Sequence, residues 1–305
     1  MIAAGDHGCK GTGDDMRTRN PVVAGQFYPA SRDGCLEEVR ECLASRPVVE
    51  PLPEPIVGGI VPHAGWAFSG DLAAMVFAAI KKQRAMVDTF VIFGTAHSYF
   101  GSLPAVDDSE SWQTPLGEIS IDRAFRDALL AKKVVVMDAR AHQFEHSLEV
   151  QVPFVQHLFP GAKLVPIVVP PVDTAIALGE VVAEVTGAQG RTAVCIGSTD
   201  LTHYGPRYGF TPMGKGSEGL QWAANVNDRQ FIDLALSLEA ERLLSEAIEK
   251  ANACGPGAAA AAIAAARKLG TPKGQLLAYT NSNDVMRRKM GQTSRDSVGY
   301  AAIVF

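Results

Sequence analysis

The chain has 305 residues, of which 47% are hydrophobic and 20% charged, with a formal net charge of −5. This length and composition are typical of one large α/β domain with a substantial core. The acidic balance and the lack of long basic runs exclude general nucleic-acid binding and attachment to an anionic membrane.

Residues 1–20 are polar and rich in Gly and Asp, and we predict a flexible tail there, followed by one domain over residues 21–305. This segment lacks the apolar stretch of a secretory signal, and the apolar runs elsewhere are too short to span a membrane. The five cysteines show no CxxC spacing, which indicates reduced thiols. We therefore expect a cytoplasmic protein.

Short apolar runs bounded by turn residues predict six strands, and periodic apolar spacing between them predicts helices. The predicted strands are 57–62, 88–94, 163–169, 193–197, 275–280 and 297–304. The predicted helices are 72–82 (capped by Ser69 or Asp71), 122–132, 146–159, 173–185, 228–236, 239–250 and 257–268. This alternation predicts a three-layer α/β/α fold with a mainly parallel central sheet. Residues 99–121 are predicted as an excursion or small hairpin over one sheet edge.

Polar residues follow three of the predicted strands directly. His63 follows the first strand and His97 the second, and Asp200 and His203 follow the fourth. Because ligands bind at the carboxyl ends of parallel strands, we expect these side chains to converge on one crevice. A single histidine is more often structural, but two at equivalent strand ends indicate a site for Fe, Zn or Cu.

Asp200 and His203 lie three residues apart, so a helical turn would place both on one face. In that arrangement His203 acts as a general acid or base and Asp200 orients it. Alternatively, Asp200 caps a helix by accepting from the amides of residues 202 and 203.

Cys254 precedes the predicted helix 257–268, whose N-terminal field favours a thiolate. Such a thiolate is a metal ligand or a nucleophile; alternatively, Cys254 is a small buried apolar residue. At the start of the predicted helix 146–159, His146 and Glu149 are candidates for hydrogen bonds that support metal ligands. An ordinary capped helix is the alternative there.

Seven motifs together identify a family resemblance that covers nearly all of the chain after residue 20. They are PVVAGQFYPA (21–30), VPHAGWAFSG (61–70), GTAHS (94–98), WQTPLGE (112–118), EHSLEVQVPF (145–154), STDLTHYG (198–205) and ACGPG (253–257). With these motifs in this order, the sequence resembles the Memo family, also called AmmeMemoRadiSam system protein B.

The resemblance implies a fold similar to the class III, LigB-type extradiol dioxygenases, which are non-haem Fe(II) enzymes. It implies that His63 and His97 are metal ligands, and that Cys254 takes the place of the carboxylate ligand. His203 then corresponds to the acid/base histidine, with Asp200 as its neighbour. Memo proteins are described as redox-active and as binding copper or iron. The family name also implies a link to AMMECR-type and radical-SAM proteins, and animal members are linked to phosphorylated receptor tails.

Three functional hypotheses follow. The first is a metal-dependent oxidoreductase, with iron (Fe²⁺) favoured and copper or zinc as alternatives because a thiolate softens the site. The second is a binding or scaffold protein whose vestigial cleft, lined by Trp66, Trp112 and Tyr99, takes a small molecule or a peptide. The third is a metal-free hydrolase with Cys254 as nucleophile and His203 as base.

Overall fold

The computed structural model describes residues 17–305. Residues 1–16 of the predicted tail, including Cys9, lie outside the described residues, whereas Thr18–Arg19 form a strand. The four cysteines of the described part are free thiols. Within residues 17–305, every helix is too short or too polar to cross a membrane.

Twelve strands are present in the described part of the chain. They are β1 (Thr18–Arg19), β2 (Gly58–Val61), β3 (Thr89–Thr95), β4 (Ala105–Val106), β5 (Ser111–Thr114), β6 (Gly117–Ser120), β7 (Val136–Met137), β8 (Lys163–Val169), β9 (Ala193–Ser198), β10 (His203–Tyr204), β11 (Gln275–Asn281) and β12 (Ser297–Val304).

Ten α-helices are present in residues 17–305. They are α1 (Arg32–Ser45), α2 (Trp66–Gln83), α3 (Arg123–Ala131), α4 (Val152–Leu158), α5 (Thr174–Gln189), α6 (Ser217–Trp222), α7 (Asp228–Leu236), α8 (Ala240–Lys250), α9 (Pro256–Lys268) and α10 (Ser282–Met290). A 3₁₀ turn, Glu149–Gln151, leads into α4, and a π-helical turn, Ala223–Asn227, joins α6 to α7.

The large sheet has the strand order β10-β12-β2-β9-β3-β8-β4-β7, with β11 paired to β12. Its four central strands, β2, β9, β3 and β8, are parallel. The pairs β12–β2, β11–β12 and β4–β8 are antiparallel, so the sheet is mixed at its flanks. β1, β5 and β6 form a separate small sheet, in which β5 and β6 are the hairpin predicted within residues 99–121.

Helices cover both faces of the large sheet, which confirms the three-layer α/β/α prediction. Helices α1, α2 and α4 pack on one face around a cluster that includes Phe77, Phe90 and Phe154. Helices α3, α5, α7, α8 and α9 pack on the other face. The alanines of α9 are all buried, because this helix lies between the sheet and α5 and small side chains permit the close approach.

Two predicted helix boundaries are wrong. Helix α2 begins at Trp66 rather than after Ser69 or Asp71, and neither side chain caps it; Asp71 pairs with Arg46 instead, at 2.6 Å. Residues 146–148 form a turn rather than a helix, and α4 begins only at Val152. The prediction also missed α1, α6 and α10.

Candidate metal centre

The site lies at the carboxyl ends of three neighbouring parallel strands. β9 lies between β2 and β3, and His63 and His97 each follow two residues after the end of β2 and β3. The predicted convergence of these two strand ends is confirmed, since the two imidazole ring centres are 5.2 Å apart. β9, the strand between them, ends at Ser198.

His146 is the third imidazole at this position. One ring nitrogen from each of His63, His97 and His146 lies within 4.8 Å of the others, a spacing that one metal ion can bridge. The His146 ring stacks on His97, with centres 4.7 Å apart. The sequence assigned His146 only a supporting role, whereas the geometry places it among the nitrogen donors.

A turn at residues 145–148 presents His146, and two of its side chains hold it in place by accepting hydrogen bonds from backbone amides. Ser147 donates its amide to the Glu145 carboxylate at 2.7 Å, and its hydroxyl accepts from the Thr95 amide at 2.9 Å. Leu148 fills the space beside Gly94 of β3, where a Cβ atom would lie 2.4 Å from the Leu148 side chain. Only glycine at position 94 therefore lets this turn seat against the strand.

Glu145 orients His97, and the sequence analysis missed it. Both carboxylate oxygens lie 3.0 Å from His97 Nδ1, and one also accepts from the His97 amide. Burial by itself raises the pKa of Glu145, but hydrogen bonds from His97 and Ser147 outweigh it and lower that pKa to about 2. No local pattern marked it, because its partner lies 48 positions away in the chain.

The surroundings of His97 favour its protonated form, although its side chain is 32% exposed. Burial lowers its pKa, but interactions with Cys254 and Glu145 more than offset burial and raise the pKa to about 10. His63 behaves in the opposite way: burial and the neighbouring histidines hold its pKa well below the ordinary value. The site thus surrounds one imidazole with hydrogen-bond acceptors and keeps a neutral imidazole beside it.

Cys254 joins the histidines from the start of α9. Its Sγ lies 3.3 Å from His63 Nε2 and accepts from the Asp200 amide at 3.3 Å. Gly255 makes this approach feasible, because a Cβ atom there would lie 2.2 Å from the Thr95 hydroxyl. The structure therefore brings together all three residues predicted as metal ligands.

Asp200 and His203 are near the site, but the predicted helical turn linking them is wrong. The chain passes from Asp200 through a β-bridge at Leu201 into β10, and no hydrogen bond joins the two side chains within residues 17–305. Asp200 accepts from the amide of His63 at 2.7 Å, not from those of residues 202 and 203. Its pKa rises to about 7, mainly through burial. Asp200 therefore shapes the His63 turn.

His203 stands beside this arrangement as a neutral base. Its pKa is lowered to about 4 by burial and by the charge on His97. The ring packs edge-on against Tyr208, with centres 5.0 Å apart, and its Nε2 is buried without a hydrogen-bond partner in the described part of the chain.

Glu149 has a different role from the one predicted. Its carboxylate binds the N-terminal segment, accepting from the Arg19 guanidinium, the Val22 and Val23 amides and the Tyr28 hydroxyl. That segment places the Phe27 ring 4.9 Å from the ring of His146. Glu149 therefore supports the site indirectly, by fixing the segment that covers His146.

Comparison with known proteins agrees with the family seen in the sequence motifs. The Memo-like protein family matches residues 19–304. A MEMO1 family protein of Methanococcoides burtonii is 37% identical over 290 residues, covering 94% of this chain and 99% of that protein. MEMO1 family proteins of Methanosarcina mazei and Thermococcus onnurineus are 35% and 37% identical, covering 95% and 94% of this chain and 99% of each relative.

Proposed function

The chain belongs to the Memo-like family, and we propose that it is a metal-dependent oxidoreductase related to the extradiol dioxygenases, with His63 and His97 as metal ligands. The observation that carries the proposal is the convergence of three imidazole nitrogens within 4.8 Å, with a thiol sulfur 3.3 Å from one of them. Cys254 and His146 are the two candidates for the next ligand. Iron is the metal we favour, with copper or zinc as alternatives, because nitrogen and sulfur donors suit all three.

The residues present fit a divalent cation. The Nδ1 atoms of His97 and His63 are engaged by Glu145 and Ser198, which leaves the Nε2 atoms for a metal. The raised pKa of His97 also fits a cation, since it shows that the surroundings of this imidazole favour positive charge. A bound iron would supply redox chemistry and open positions for O₂ and substrate.

The chain's own residues supply binding and proton transfer. His203 is neutral at physiological pH, so its ring can take a proton from an acidic substrate hydroxyl. Asp200 holds the backbone of the His63 turn. Phe27 covers one side of His146 and limits the access of water.

Metal content tests the proposal. Protein purified anaerobically should contain close to one iron per chain, and His63→Ala should lose it, whereas His157→Ala, a change at a histidine remote from the site motifs, should not. Oxygen uptake with candidate catechols or small reductants then tests turnover. Equally low metal content in wild type and His63→Ala would rule the proposal out.

A second candidate function is partner binding, and exposed aromatic residues favour it. Phe100 is 93% exposed and Phe144 is 69% exposed, and they lie three and two residues from His97 and His146. The cleft lining predicted for Trp66 and Trp112 is wrong, since both rings are buried, whereas Tyr99, the third residue of that prediction, is half-buried.

A pull-down with an AMMECR-type protein as the first probe tests this second function. The double variant Phe100→Ser/Phe144→Ser should capture less of that partner than wild type does. Cys254→Ala should leave that capture unchanged. Loss of capture on Cys254→Ala would argue against a role independent of the metal.

The hydrolase hypothesis is the least supported by the contacts. The sulfur of Cys254 lies 3.3 Å from His63 Nε2, and no hydrogen bond joins it to His203 among residues 17–305. A Cys254–His203 pair would need that contact to generate a nucleophile.

A further inference from the structure

The hydroxyl of Ser198 links His63 to the turn that carries His146. Ser198 Oγ lies 2.7 Å from the Ser147 carbonyl oxygen, 3.2 Å from Gln151 Nε2 and 3.2 Å from His63 Nδ1. All four residues are buried, so water does not compete for these bonds. The direction of each bond can therefore be worked out from the partners alone.

The Gln151 side chain has a defined orientation. Its Nε2 lies 2.8 Å from the Pro62 carbonyl oxygen and 3.5 Å from the Ser147 carbonyl oxygen. Carbonyl oxygens only accept, so the atom facing them is the amide nitrogen. One of its two hydrogens goes to the Pro62 carbonyl, and the other is shared between Ser198 Oγ and the more distant Ser147 carbonyl.

A serine hydroxyl has one hydrogen and two lone pairs. The hydrogen of Ser198 goes to the Ser147 carbonyl, because that group cannot donate. One lone pair accepts from Gln151 Nε2, and the other faces His63 Nδ1. His63 must therefore be the donor in the last bond, with its proton on Nδ1.

We infer that Ser198 and Gln151 are positioning residues that hold His63 as the Nδ1–H tautomer, with the lone pair of Nε2 directed into the site. The importance of this tautomer for metal binding depends on the function proposed above, whereas the tautomer itself does not. Nε2 is the atom that lies 3.3 Å from Cys254 Sγ. The opposite tautomer would set two lone pairs against each other in a buried place, and its population should be at least about tenfold lower.

This arrangement explains two further contacts. With Nε2 unprotonated, the Cys254 thiol donates to it while the sulfur accepts from the Asp200 amide. Glu145 has the same orienting role for His97 that Ser198 has for His63, since its carboxylate accepts from His97 Nδ1. The short segment 145–151 thus sets the orientation of both histidines as well as supplying His146.

Nitrogen NMR of the full chain labelled with ¹⁵N-histidine, in chelator-treated buffer at neutral pH, tests the tautomer directly. His63→Gln assigns the signal. We expect the proton on Nδ1 in wild type, and a shift towards Nε2–H or an averaged signal in Ser198→Ala. Thr186→Val removes another buried hydroxyl bonded to a carbonyl, within α5, and is the matched control. A wild-type Nε2–H signal, or a Ser198→Ala spectrum equal to wild type, overturns the inference.

Zinc affinity, measured by competition with a chelator, tests the consequence for metal binding. Ser198→Ala should bind Zn²⁺ about 10–100-fold more weakly than wild type, and Thr186→Val should stay within about threefold. If wild type and Ser198→Ala bind zinc equally while His63→Ala does not, the positioning role is refuted and the metal site stands. If wild type binds no metal but shows the Nδ1–H signal, the proposed function fails and the tautomer assignment stands.

Discussion

Replacing Glu149 by Ala should destabilise the protein by about 3–5 kcal/mol, the cost typical of breaking a buried ion pair. The Glu149 carboxylate is 1% exposed and lies 2.9 Å from the Arg19 guanidinium, whose side chain is 8% exposed. The same carboxylate accepts from the amides of Val22 and Val23. The substitution would leave the buried Arg19 guanidinium without its anionic partner, with only the carbonyls of His142 and Glu145 as acceptors. It would also leave two partly buried amide hydrogens without an acceptor.

Urea denaturation followed by tryptophan fluorescence measures the loss, and thermal unfolding should show a midpoint lower by about 6–20 °C. Glu249→Ala is the control: that carboxylate is exposed in its pair with Lys250, so the variant should stay within about 0.5 kcal/mol of wild type. A loss below about 1 kcal/mol for Glu149→Ala would refute the reasoning.

A double variant separates the ion pair from the amide contacts. Replacing both charged partners, as in Arg19→Met/Glu149→Leu, can restore stability where an ion pair is the sole interaction. Here we expect little recovery, because the Val22 and Val23 amides would still lack an acceptor. Full recovery would show that these amide bonds contribute little.

Three other predictions concern the site and its supports. Glu145→Gln should weaken Zn²⁺ binding about 10–100-fold in a chelator competition; unchanged binding would contradict its role. Burial raises the pKa of Asp228 from 3.8 to about 7, so the folded state binds this proton more tightly than the unfolded state does. The free energy of unfolding of the wild type should therefore fall as the pH rises from about 4 to 7. Asp228→Asn should remove that loss, which is at most about 4 kcal/mol, in urea titrations at several pH values; parallel pH profiles would refute this. Gly255→Ala should cost about 1–3 kcal/mol, because the added Cβ would overlap the Thr95 hydroxyl and lie 2.9 Å from the Ser198 carbonyl oxygen. Thr95→Ala should relieve part of that cost in the double variant; a cost unaffected by Thr95→Ala would place the strain elsewhere.

The sequence predicts the central sheet and the position of the site well, for a simple physical reason. Strands β2, β3 and β9 are buried on both faces, so each is a continuous apolar run that ends where the chain turns polar. The residues after those runs, among them His63 and His97, can be placed at one sheet edge without coordinates. Helix α10 is the opposite case: only Val285 is buried in it, so its sequence has no apolar periodicity that would predict a helix.

The roles of Glu145, His146 and Asp200 could not be read from local pattern. Residues 146–159 have helical spacing, but Glu145 forms its decisive bond with His97, 48 positions away. Asp200 reaches the His63 amide across 137 positions. Such long-range contacts determine whether this segment forms a capped helix or a turn at the site. They cannot be predicted from a short stretch of one sequence. The position of Cys254 before helix α9 left its role open between ligand, nucleophile and buried apolar residue, and the motif resemblance implied the ligand role.

The strand order has a consequence for how the protein is made. β9 lies between β2 and β3, although it begins about 100 residues after β3 ends and about 130 residues after β2 ends. The strands before His63 and His97 are therefore not joined through the sheet until residue 198 has left the ribosome, and Cys254 emerges later still. Only a chain that is nearly complete can therefore assemble the whole group of His63, His97, His146 and Cys254.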